Sequence, residues 1–142
     1  MPTLGELIAR HGIEILGHLD RQVRVPVLGG LQLQGDVAVN PVPPAPVRFG
    51  APGGAVPPEG VTVVHGELGG NSHQLIAEGE GVTWTPVTAG DADSLALGRL
   101  RVPPGAIAFL AHPEHAYAGI APGSYLLRRQ REHGEQIRLV TD

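Results

Sequence analysis

After Gln22 the chain sustains no long apolar run. Short stretches rich in Val, Ile and Leu are cut every few residues by Gly or Pro, with 21 Gly and 14 Pro in 142 residues. Turn residues at that spacing suit strands and leave little room for helix beyond residue 20. Val23, Val25 and Val27 alternate with Arg24 and Pro26, the pattern of an edge strand. Gly29-Gly30 is expected to form a tight hairpin turn into 31–34, and Gly35 a bulge before Val37 and Val39. Further strands are expected at 61–65, 73–78, 82–85, 95–102, 106–111, 124–129 and 136–140. The fold class is therefore mostly β: a small single-domain barrel or sandwich carrying an N-terminal amphipathic helix.

That helix occupies the first part of the chain. Thr3-Leu4-Gly5-Glu6 has the form of a capping box, in which the hydroxyl and the carboxylate satisfy orphan amides. Leu4, Leu7, Ile8, His11, Ile15 and Leu19 then recur on one helical stripe up to Asp20-Arg21. Gly12 and Gly17 weaken the helix by about 1 kcal/mol each, so it needs a surface to lie on, its own barrel or another subunit. Residues 1–21 read as a helical extension and 22–142 as the β-rich domain. Residues 41–60, with seven Pro and four Gly, form a long loop within that domain.

Composition excludes several classes. With no Cys there is no disulfide, thiolate ligand or cysteine nucleophile, and with no Lys there is no Schiff base and no P-loop lysine. No stretch is long and apolar enough for a membrane span, and the first residues lack the pattern of a signal peptide, so a cytoplasmic location is expected. The net charge of −4 and the scattering of Trp84, Phe109, Tyr117 and Tyr125 argue against a broad nucleic-acid surface. Arg128, Arg129 and Arg131 are the exception, three cations in four residues that suit phosphates or carboxylates.

Histidine carries the chemistry. Four of seven fall in two short segments, His65 to His73 and His112-Pro113-Glu114-His115. Neutral imidazole is the commonest metal ligand and titrates near neutrality. His73, His112 and His115 are the candidate ligands of a divalent transition metal such as zinc, with Glu67 or Glu114 as general base. Gly66, Gly69 and Gly70 would shape the turn that delivers His73.

Four motifs stand in order along the chain: Gln34-Gly35-Asp36-Val37, then His65-Gly66-Glu67 through His73, then His112-Pro113-Glu114-His115, and finally Ala121-Pro122-Gly123-Ser124-Tyr125 with Gln130-Arg131-Glu132. Together they resemble a family of small bacterial and phage-associated proteins of unknown function, marked by Q-G-D-V, G-E-V-T-G-H-x-H-R, H-x-E-H and P-G-x-Y…Q-R-E-Y. The resemblance spans roughly residues 33 to 133. Where those proteins have G-H-x-H-R this chain has Gly70-Asn71-Ser72-His73-Gln74, and His133 replaces a frequent Tyr. If that turn is a metal or catalytic site, part of it is absent here.

Two readings follow, the first the primary expectation and the second its alternative. One is a non-catalytic β module that forms a homo-oligomer or docks on a partner, through Leu4, Leu7, Ile8, Ile15 and Leu19, the Pro-rich arm and Arg128, Arg129 and Arg131. The other is a metal-dependent hydrolase built on His73, His112 and His115.

Overall fold

A computed structural model describes residues 1–15, 21–44, 54–64, 72–87 and 95–130. Helix α1 (Leu4–His11) precedes eleven strands: β1 (Val27–Leu28), β2 (Gln32–Gln34), β3 (Val37–Pro41), β4 (Gly54–Ala55), β5 (Val61–Val64), β6 (His73–Glu78), β7 (Thr83–Pro86), β8 (Ala96–Val102), β9 (Ile107–His112), β10 (Ala116–Ile120) and β11 (Gly123–Arg129). They form two sheets, β1-β10-β9-β6-β5 and β2-β3-β11-β8-β7-β4. The arrangement is a sandwich and not a closed barrel. The expected strand at 136–140 lies outside the described residues.

The two sheets share one interior. Val37 and Val39 of β3, Leu100 and Val102 of β8, and Tyr125 and Leu127 of β11 pack against Leu75 of β6, Ala108 and Leu110 of β9, and Ile120 of β10. A second apolar cluster lies on the far side of the five-stranded sheet. There Ile76, Phe109, Ala111 and Tyr117 are covered by Leu4, Leu7, Ile15 and Val25. The order is thus helix, five-stranded sheet, six-stranded sheet, and among the described residues no further layer covers the outer face of the last.

Helix α1 starts as the capping box dictates. Thr3 Oγ1 accepts the Glu6 amide at 3.1 Å and Glu6 Oε1 accepts the Thr3 amide at 3.0 Å. It ends earlier than the apolar stripe suggests, because Gly12 adopts φ 76° and sends its amide back to Ile8 O at 2.8 Å. That is the left-handed cap which glycine provides at least cost. Ile15 is still buried with α1 in the second cluster, and 16–20 lie outside the described residues. His11 Nε2 meets Glu78 Oε2 at 2.6 Å and Arg10 meets Glu78 Oε1 at 3.1 Å, tying the helix end to β6.

Two turns differ from expectation. Gly29-Gly30 does not close a hairpin, because β1 pairs parallel with β10 in one sheet while β2 pairs with β3 in the other. It is the corner at which the chain changes sheets. Gly35-Asp36 is not a bulge but the two-residue turn of the β2–β3 hairpin, with Gly35 at φ 57°. Among the described residues no helix is long and apolar enough to cross a membrane.

Candidate functional site: a histidine cluster at one end of the sandwich

Strands β6 and β9 pair antiparallel, with Gln74 opposite Ala111, which places His73 at the start of β6 beside His112 at the end of β9. Side chains alternate along a strand, so His73 shares the inward side with Leu75, and His112 shares it with Leu110. Both imidazoles are only 2 % exposed, with ring centroids 4.4 Å apart. His115 follows in the exposed turn before β10. Its ring lies 4.7 Å from that of His112 and 6.3 Å from that of His73, nearly parallel to the latter. His73 and the His112–His115 turn therefore meet in space, while His65 lies outside the described residues.

The opposite wall comes from the β2–β3 hairpin. Gln34 sends its amide group to Leu110 O at 2.9 Å and to Ala116 O at 3.2 Å, stitching the two sheets together. Both donor hydrogens are then used. The remaining atom, Oε1, is buried and has no hydrogen-bond partner among the described residues. A buried acceptor without a donor costs on the order of 1–3 kcal/mol, so it marks a place where a water, a cation or a donor is wanted. Asp36 is also buried, with Oδ1 3.9 Å from His73 Nδ1. Gln130, at the end of β11, holds the turn from behind: its amide donates to Asp36 O at 2.9 Å and its Nε2 to Gly35 O at 3.1 Å.

Hydrogen bonding sets the tautomers. His73 Nε2 lies 3.2 Å from Gln34 O, and a carbonyl only accepts, so this nitrogen carries a proton and Nδ1 is the atom on the Asp36 side. His112 Nδ1 accepts the Glu114 amide at 3.1 Å, which makes His112 a neutral imidazole protonated at Nε2. Ala116, which closes the turn, has φ 66°, a left-handed conformation that costs a side-chain-bearing residue about 1–2 kcal/mol. Such strain is found where a turn is shaped for a task.

The candidate residues thus divide. His73, His112 and His115 come together as rings. Their nitrogens do not form a ligand set: among the described residues no three His, Asp or Glu side chains are arranged to hold a metal ion. One obstacle is local, since His112 Nδ1 accepts the Glu114 amide. Glu114 is exposed in the turn beside His115. Leu4, Leu7 and Ile15 are buried under their own chain and Ile8 is half-buried there, so the apolar side of α1 is not a free surface. Arg128 lies on the outer face of the six-stranded sheet, and Arg129 faces the other way. Glu67, Leu19 and Arg131 lie outside the described residues.

Gln34, Asp36 and Gln130 were not foreseen as site residues. The available signal was their membership of ordered motifs, which the fold brings to one end of the sandwich. No curated protein and no solved structure matches the chain. A family model matches residues 33–130, from β2 to the glutamine that clamps its turn. The chain belongs to that family, described as a domain of unknown function (DUF8820).

Proposed function

We propose that the protein is a metal-dependent hydrolase whose site is this histidine cluster. The observation that carries the reading is a concentration. The buried polar side chains of the described residues are Gln34, Asp36, His73 and His112, and all four gather at one end of the sandwich, with His115 at the rim. Burying such groups costs stability, and a fold that collects them in one place has a use for them.

The donor chemistry suits a borderline transition metal, with imidazole nitrogens beside a carboxylate. A metal-bound histidine ordinarily holds its other N–H on a backbone carbonyl, as His73 Nε2 does on Gln34 O, with Nδ1 left on the Asp36 side. His112 joins such a centre only by giving up the Glu114 amide, and His115, exposed in its turn, is the ligand that moves. A bound ion would lower the pKa of its water, and Glu114, in the same turn as His112 and His115, is the carboxylate that would take the proton.

Titration with Zn²⁺ or Co²⁺, followed by calorimetry and by the amide resonance of Glu114, tests this reading. One equivalent is expected to bind, with a large shift of that resonance as its acceptor is withdrawn, and His112→Ala/His115→Ala is expected to abolish both effects. Binding that is unchanged in the double variant, or no binding below millimolar metal, would sink it.

A second reading has its own observation. Leu28, Leu31 and Leu33 are 45 %, 61 % and 59 % exposed around the corner where the chain changes sheets, beside the outermost strands β1 and β2. Grouped apolar side chains at two strand edges favour self-association, so a homo-oligomer would form here and not through α1. A wild-type mass in solution equal to that of Leu31→Ser/Leu33→Ser would count against it.

A further inference from the structure

The open face of the six-stranded sheet is unlike the rest of this acidic chain. Its outward positions follow from register: Arg101 lies between Ser124 of β11 and Thr83 of β7, and Arg99 between Leu126 and Thr85. Arg128 continues the series, opposite Ala96 of β8 and Ala38 of β3. The three Cα positions therefore advance along the strands by two-residue steps of about 7 Å, with Arg128 on the neighbouring strand beyond the register shift at Leu127/Arg128. No outward position of β3, β7, β8 or β11 carries Asp or Glu. Arg99 and Arg101 are exposed and make no ion pair among the described residues, although Arg10 and Arg21 each have a carboxylate partner.

One end of the row opens into a cleft of about 460 Å³. Arg101 and Ser124 form part of its wall, and Pro41, Pro44, Pro104 and Pro122 form much of the remainder. A cation and a hydroxyl beside an apolar wall match a group that is anionic at one end and apolar at the other. The cleft has the size of a small-molecule site.

We infer that this face binds the phosphate backbone of a nucleic acid, with Arg99, Arg101 and Arg128 on neighbouring phosphates and one nucleotide seated in the cleft. A regular row of cations fits a regularly repeating anion better than the isolated phosphates of a modified protein. Arginine forks grip phosphate oxygens in pairs, and the flanking hydroxyls of Thr83, Thr85 and Ser124 add donors of the kind that position a backbone without reading sequence. Trp84 is buried away from this face, and Tyr125, although it lines the cleft, is itself buried with its hydroxyl held on Ala121 O at 2.6 Å, so the arginine row offers no stacking platform and binding along it is sequence-independent. The inference is independent of the histidine site.

The test is fluorescence anisotropy with a labelled 20-nucleotide DNA strand and a 20-base-pair duplex, over 20 to 200 mM salt. Dissociation constants on the order of 10⁻⁵ M at low salt are expected, with log–log salt slopes of about −2 for the strand and about −3 for the duplex. Arg99→Gln/Arg101→Gln, at two exposed positions, is expected to weaken binding at least tenfold and to flatten the slope to about −1, with unchanged Tm. Equal affinity in that variant, or no saturable binding at 20 mM salt, overturns the proposal. Tighter binding of a doubly phosphorylated peptide than of either nucleic acid also overturns it, because the partner class would then be protein.

Discussion

The two outer faces of the sandwich are made from strands of similar length but opposite character. On the five-stranded sheet, β9 is buried from Ala108 to His112 without a break, because α1 covers one side and the other sheet covers the second. On the six-stranded sheet, β8 alternates between buried and exposed from Gly98 to Val102, and arginines take the outward positions. A strand covered on both faces reads as a continuous apolar run, and one covered on a single face reads as alternation. The N-terminal helix is thus the third layer of the domain, and the exposed layer was left free to carry charge.

The sharpest way to break this comparison is to make matched substitutions on the two faces. Leu7 is fully buried beneath α1, so Leu7→Ala is expected to cost about 2–5 kcal/mol in chemical denaturation. Arg99→Gln on the open face should stay within about 0.5 kcal/mol of wild type in the same experiment. Equal losses at the two positions would mean that the helix is loosely attached and that the five-stranded sheet stands without it.

A smaller effect is expected at the helix start. Thr3→Ala removes the Oγ1 acceptor of the Glu6 amide and leaves the reciprocal half of the box without its frame. The cost should be about 1 kcal/mol. The pairing with Thr3 also holds the Glu6 carboxyl below the usual glutamate range, first through the backbone amide. In the wild type that contribution is present above the ordinary glutamate pKa and fades as pH falls through the lowered value. Thr3→Ala removes only the hydroxyl's share of that lowering and keeps the backbone amide, so it should flatten the acid limb of the stability curve slightly, and an unchanged limb would show that the hydroxyl does not act on Glu6.

How much of this was legible in the sequence follows from which interactions are local. Strand β6 was read with its true limits, His73 to Glu78, because alternation and flanking glycines mark it on both sides. β10 was not anticipated, since Ala116, Ala118 and Gly119 are poor strand formers. Its pairing depends on a close approach: a Cβ on Gly119 would lie 2.6 Å from Pro26 O, so only glycine lets β1 run beside it. The short β4 was hidden inside the Pro-rich loop and exists through its pairing with β7. Helix α1 was read to Leu19 because Ile15 continues the stripe, although Gly12 had already turned the backbone. The chemistry followed the same rule. Histidines were recognisable by type, but their meeting depends on the β6–β9 register, which joins residues nearly forty positions apart. Gln34 and Asp36 matter because a hairpin of one sheet reaches the end of the other, and no local pattern encodes that.

The smallest effect sits on the covered face and separates helix docking from sheet stability by pH alone. Tyr117 projects from β10 into the apolar layer beneath α1, and its hydroxyl donates to Ile13 O at 3.1 Å, just beyond the helix. Burial pushes its pKa up to about 12 from an ordinary value near 10. The neutral phenol is therefore the form the fold accommodates, and the contribution is complete below pH 10. It is lost as pH rises from 10 through 12, where the unfolded chain releases the proton and the folded chain does not. Tyr117→Phe forfeits the hydrogen bond at neutral pH, about 1 kcal/mol, but has no proton to lose. Wild type and variant should thus converge in Tm between pH 10 and 12. If the gap stayed constant across that range, the ring would be reaching solvent, and the helix would not seal the five-stranded sheet as the layer order requires.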